Sequence, residues 1–155
     1  MTLPPQIEAF WQAYLATRGD LPPPPLDDDP VWQFGNQEAA GRVGQLANAG
    51  IKTATSSLLW HLEHIGEQPP QVGSYAIVAD GAGAPICIIE VTEVEIKPFN
   101  AVDAQFAFDY GEYGRTLEQW RAASWEYFSE VCARIGREPS ETMPMVCQRC
   151  RRVYP

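Results

Sequence analysis

Apolar residues recur at helical spacing at the start of the chain, where Ile7, Phe10, Trp11 and Tyr14 share one face of a helix over residues 5–18. Pro4 and Pro5 suit its first turn, where a missing N–H costs nothing, and Gly19 suits its end. The stretch DLPPPPLDDDP cannot continue a helix and predicts an extended, semi-rigid arm. A second helix is expected over 36–49, with Asn36 as N-cap, Gly50 just past its end, and Ala39, Ala40, Val43, Leu46 and Ala47 on its packing face. SSLLWHLEHIG predicts a short helix capped by Ser56 or Ser57 and stopped by Gly66, with Leu58, Leu59, Leu62 and Ile65 inward.

The pattern then changes period. SYAIVAD and PICIIEVTEVEIKPF are rich in β-branched residues and flank the turn-prone DGAGAP. In the second of these Thr92, Val94 and Ile96 alternate with Glu93, Glu95 and Lys97, the mark of a strand passing from buried to half exposed. AVDAQFAFDYGEYG predicts a short helix running into a loop. Thr116 and Gln119 form a capping box that opens the longest helix, with Leu117, Trp120, Tyr127 and Val131 inward and Gly136 at its end. MPMVCQRCRRVY predicts a closing strand. The order of elements makes the fold class α+β, with a small mixed or mostly antiparallel sheet that could close as a barrel. Two parts are expected: an N-terminal helix and proline-rich arm over 1–30, and one globular unit over 31–155.

Charge narrows the function. Twenty acidic residues against eleven basic ones give a net charge of −9. Coating nucleic acid through bulk electrostatics needs clustered Lys and Arg, so any RNA would have to be handled in a local pocket, and DNA is not an expected partner. Arg149, Arg151 and Arg152 form the one dense basic cluster. The N-terminus carries no basic segment followed by an apolar block, and no apolar run is long enough for a bilayer, so a cytoplasmic protein with reduced cysteines and no membrane partner is expected.

Several chemistries can be weighed from residue type and spacing. His61, His64, Cys147 and Cys150 could supply a tetrahedral zinc, but cysteines three apart on a strand point to opposite faces. Asp27–Asp29 reads more readily as a solvated linker than as a metal site. DGAGAP joins two strands and is not a phosphate loop. GIKTATSSLLW remains: one turn after a helix end can bring the Lys52 amine within reach of the Thr55 hydroxyl. A desolvated lysine can act as base toward a hydroxyl nucleophile, and a charged one can hold a phosphate or an oxyanion. The competing reading is a solvated lysine followed by capping hydroxyls.

The chain resembles the bacterial ASCH-domain proteins. The resemblance runs from about Trp32 to Tyr154 and is carried by the G-x-K-T-x-T loop at Gly50–Thr55, the I-E-V-T-E-V strand at Ile89–Val94, and the G-E-x-x-R-[ST]-L loop at Gly111–Leu117. It implies a PUA-like β-barrel surrounded by helices, with a cleft facing RNA or nucleosides. One branch of the family removes acetyl from acetylcytidine with a lysine base, a threonine nucleophile and a glutamate proton donor, roles that fall on Lys52, Thr55 and Glu112. Another branch is assigned ribonuclease activity, for which Mg2+ or Mn2+ held by carboxylates such as Glu112 and Glu90 would serve. Thr53, Arg115, Tyr110, Tyr113 and Glu90 are the expected substrate contacts, the two tyrosines as base-stacking faces. Ser57 stands where short amidohydrolase relatives carry arginine, and Ser124 where many relatives carry histidine. The leading expectation is an RNA-directed hydrolase of ribonuclease type, with acetylcytidine amide hydrolysis and a non-catalytic RNA-binding module as alternatives.

Overall fold

Five strands form one mixed sheet in the order β1-β3-β4-β5-β2. They are β1 (Leu26–Trp32), β2 (Ala54–Leu58), β3 (Tyr75–Ala79), β4 (Pro85–Pro98) and β5 (Pro144–Tyr154). The helices are α1 (Pro5–Thr17), α2 (Ala40–Asn48), α3 (Leu59–Ile65), α4 (Ala104–Tyr110) and α5 (Leu117–Arg134). This computed structural model describes residues 2–155. The α+β class is as expected, but the sheet does not close into a barrel. β1 pairs with β3 alone and the five-residue β2 with β5 alone, so both end the sheet order.

β1 was not anticipated. The segment LDDDPVW runs parallel to β3, pairing Leu26 with Tyr75 and Val31 with Ile77. Its register is irregular between Leu26 and Val31, where the three aspartates and Pro30 lie. Proline and inward-breaking charge are tolerated at a sheet edge, where they also discourage pairing with another chain.

The chain divides into two compact units. One comprises the described residues up to Ile51, with 70–92 and 150–155. In it, Ile7, Trp11 and Tyr14 of α1 pack with Tyr75, Ile77 and Ile88, while Val43 and Ala47 of α2 pack with Ala76, Val78, Cys87 and Ile89. Alternate residues of β3 and β4 therefore serve two separate apolar clusters, which is why all five residues of β3 are buried and read as an unbroken apolar run. α2 can lie close because Gly44 has no side chain; a Cβ there would meet Ile86 Cδ1 at 2.5 Å.

The other unit comprises 52–69 and 93–149. Its core joins Trp120, Phe128, Val131 and Cys132 of α5 to Phe106 of α4, Phe99, Met143, Met145 and Leu58. Thr116 caps α5 by accepting from Gln119 N, as the capping box predicts. Two expectations fail here. Tyr127 is exposed and Phe128 buried, because the inward arc through Leu117, Trp120, Ser124, Phe128 and Val131 leaves Tyr127 at its edge. Ser56 and Ser57 are not helix caps but strand residues, paired with Cys147 and Val146 of β5.

Burial raises the thiols of Cys87 and Cys147 from the ordinary 9.0 to about 12. A thiol with a raised folded-state pKa contributes stability that is complete below its unfolded-state pKa and is lost as pH climbs toward the folded value. The melting temperature in reductant is expected to fall steadily from about pH 9 upward. A melting temperature flat between pH 8 and pH 10.5 would contradict this.

Candidate functional site

α2 ends in a Schellman turn, in which Gly50 N donates to Ala47 O at 3.1 Å and Ile51 N to Leu46 O at 3.0 Å. Gly50 supplies the left-handed conformation this turn needs, with φ +75°. Lys52, two residues beyond Gly50, opens the second unit. Its side chain is buried, and its Nζ donates to Ala54 O at 2.7 Å and Tyr110 O at 3.1 Å. It also lies 2.7 Å from Glu112 Oε2, with side-chain exposures of 2% and 9% for the pair. Three oxygens thus match the three N–H bonds of an ammonium. The charge also sits 3.5 Å from the centroid of the Tyr110 ring.

The end of α4 supplies most of this setting. Its last carbonyls have no helical partner and form the negative pole of the helix. Asp109 O accepts from Thr53 N at 2.8 Å, and Tyr110 O accepts from Lys52. Gly111, with φ +74°, then turns the chain so that Glu112 follows within reach of the same amine. Beyond Glu112, Tyr113, Gly114 and Arg115 all have positive φ, at 56°, 76° and 69°. The two non-glycine residues each cost about 1 kcal/mol in this region. Arg115 holds the loop in place: its Nε donates to Phe108 O at 2.9 Å and its guanidinium lies 3.7 Å from the Phe108 ring centroid.

Thr55 is buried on β2 and pairs directly with Gln148 of β5. Ser56 Oγ lies 3.2 Å from the Tyr110 hydroxyl. Burial drives the Tyr110 phenol far above its ordinary range and the Glu112 charge adds to this, while hydrogen bonds from Ser56 and Thr55 oppose it. The phenol is therefore a neutral hydrogen-bonding group at physiological pH.

Lys52, Thr53, Thr55, Tyr110, Glu112, Tyr113 and Arg115 all belong to this one unit. Tyr110 does not stand as an open stacking face; it is in the core, under the Lys52 ammonium and stacked on Tyr113 at 6.0 Å. Tyr113 is 41% exposed. Trp60 packs against the core with Arg137 over its ring. Glu90 lies in the other unit, where it accepts from Tyr75 and Arg151. The basic cluster near the C-terminus is likewise engaged: Arg149 pairs with Asp109 and Glu93, and Arg151 with Glu90. Sequence reasoning missed the supporting part of Tyr110, the Asp109–Arg149 pair and Gln148; none carries a spacing that marks it.

Among the described residues no group of three or more His, Cys, Asp or Glu is gathered as for a metal ion. The two carboxylates expected to hold Mg2+ or Mn2+ each face a cation already, Glu112 facing Lys52 and Glu90 facing Arg151. This donor set does not fit a divalent ion. Cys147 and Cys150 both lie on β5, with Cys147 buried and Cys150 partly buried.

The ASCH domain model matches residues 30–154, and the chain belongs to the ASCH-domain family. The crystal structure of an ASCH domain from Lactobacillus crispatus is similar over 100% of this chain and 98% of that one, with 29% identity and a TM-score of 0.89. The crystal structure of a protein from Enterococcus faecalis is similar over 96% of this chain and 88% of that one, with 36% identity and a TM-score of 0.84. No curated protein matches. No helix among the described residues is long and apolar enough to cross a membrane.

The turn at Gly111 is the link between the helix end and Glu112. Replacing Gly111 by Ala is expected to cost about 1 kcal/mol, lowering the melting temperature by roughly 2–4 °C. Gly111→Asn should cost less, because asparagine tolerates the left-handed region. Equal losses in both variants, or none in either, would contradict this role.

Proposed function

We propose that this protein is a small amidohydrolase that removes an acyl group from the exocyclic nitrogen of a modified nucleoside such as acetylcytidine. Thr55 is the nucleophile, Lys52 the base and Glu112 the proton donor. The observation that carries this reading is the 2.7 Å contact between Lys52 Nζ and Glu112 Oε2, in the unit that also holds Thr55.

The contact defines a proton path. Passing one proton from the ammonium to the carboxylate leaves a neutral amine and a carboxylic acid. Both are favoured once a bound substrate excludes water, since a low dielectric penalises the charged forms. The neutral Lys52 then takes the Thr55 hydroxyl proton as Oγ1 attacks the amide carbonyl. The Glu112 acid protonates the departing amine, which restores ammonium and carboxylate and leaves the acyl group on Thr55. The same exchange activates a water molecule to hydrolyse that ester, with Glu112 returning a proton to Thr55. One amide and one water become one acid and one amine. Tyr113, 41% exposed and stacked on Tyr110, offers a face for the base, and Thr53 and Arg115, held on the same α4 end through Asp109 O and Phe108 O, are the remaining substrate contacts of this reading.

The ribonuclease reading has less support. In its metal-dependent form it calls for carboxylates free to hold a divalent ion, and both candidates face cations. A net charge of −9 also disfavours a long polyanion.

Incubation with acetylcytidine, followed by chromatography, should release cytidine. Thr55→Ala and Glu112→Gln should each lower kcat by roughly 1,000-fold or more, given how tightly the members of such a unit depend on one another. No cytidine from the wild type, or equal rates from Thr55→Ala, would sink the proposal.

A further inference from the structure

The Thr55 strand position brings in a residue that the proposed mechanism does not use. Gln148 is Thr55's direct partner across the β2–β5 ladder. Residues directly opposite in an antiparallel pair project to the same face of the sheet, with Cβ atoms roughly 4.5–5.5 Å apart. Gln148 is 6% exposed, and its Oε1 is fully buried with no hydrogen-bond partner. An orphaned buried acceptor is destabilising, because the oxygen has left water and gained nothing in exchange. Other buried polar atoms among the described residues also lack partners, on Arg18, His61, Trp120 and Ser129, but none of those residues is paired in the sheet with a candidate catalytic group.

An apolar side chain would fill the same place without that cost. We infer that Gln148 is a substrate-recognition residue whose carboxamide oxygen accepts the N–H of the scissile amide beside Thr55. This rests on the amidohydrolase reading and sharpens it. The acceptor selects a secondary amide, which has an N–H to donate, over an ester, which has none. It also fixes the orientation of the amide plane, so that the carbonyl carbon faces Thr55 Oγ1 while the nitrogen stays held until it departs. A buried site that hydrogen-bonds one substrate group discriminates strongly against analogues lacking it, because the protein atom is then left unpaired.

The test uses Gln148→Met, which keeps the length of the side chain and removes its polar atoms. Kinetics are measured on acetylcytidine and on 4-nitrophenyl acetate, an ester without an N–H, alongside the melting temperature without ligand. kcat/KM for the amide should fall about tenfold or more, while the ester changes by less than about twofold. The melting temperature should rise by roughly 2–4 °C as the orphaned oxygen is removed. Equal losses on both substrates, no loss on either, or a lower melting temperature would overturn the inference. A wild type inert toward both substrates would instead sink the amidohydrolase reading. The melting temperature still judges Gln148 in that case: a rise supports a ligand-directed acceptor, and a fall or no change overturns it.

Discussion

A lysine amine and a glutamate carboxylate, 2.7 Å apart and almost wholly out of water, set the terms for the residues around them. Neither charge could be buried alone, since an unpaired ion in a protein interior costs several kcal/mol. The pair is held by additional acceptors: the Ala54 and Tyr110 carbonyls complete the ammonium's hydrogen bonds, and the Tyr110 ring covers the charge. Each of these depends on another part of the chain. β2 presents Ala54, the end of α4 presents Tyr110, and the turn at Gly111 presents Glu112.

Such an arrangement is a poor way to gain stability. Apolar residues of the same volume would often serve as well or better. The same neighbourhood carries two more local costs. Tyr113 and Arg115 adopt left-handed backbone conformations, and Gln148 keeps a buried oxygen without a partner. Costs of this kind gathered in one unit are characteristic of a place where function has been kept at the expense of stability.

How much of this could be read from the sequence depended on whether the deciding contact was local. α1 and α5 were legible because their apolar periodicity and the Thr116 cap lie within the helices themselves. β1 was not, because prolines and aspartates describe a connector, and only its pairing with β3, nearly fifty residues away in sequence, makes it a strand. Ser56 and Ser57 suit a cap and a strand equally, and β5 decided between them. Lys52 stood out by its setting among hydroxyls, but its partner Glu112 was indicated by family resemblance rather than by spacing. Gln148 carried no signal at all, since its importance lies in which residue faces it across the sheet.

The proposed proton path requires Lys52 and Glu112 to act as one unit. A double-mutant cycle on urea-denaturation free energies, with Lys52→Met, Glu112→Gln and the double variant, isolates their interaction from the effects of each change alone. Each single variant should be destabilised by about 3–5 kcal/mol, because it strands the other charge, and the double variant by much less than the sum. A coupling of about 2 kcal/mol or more is the predicted result. Additive losses, with coupling below about 0.5 kcal/mol, would contradict the buried pair on which the proposed proton path depends.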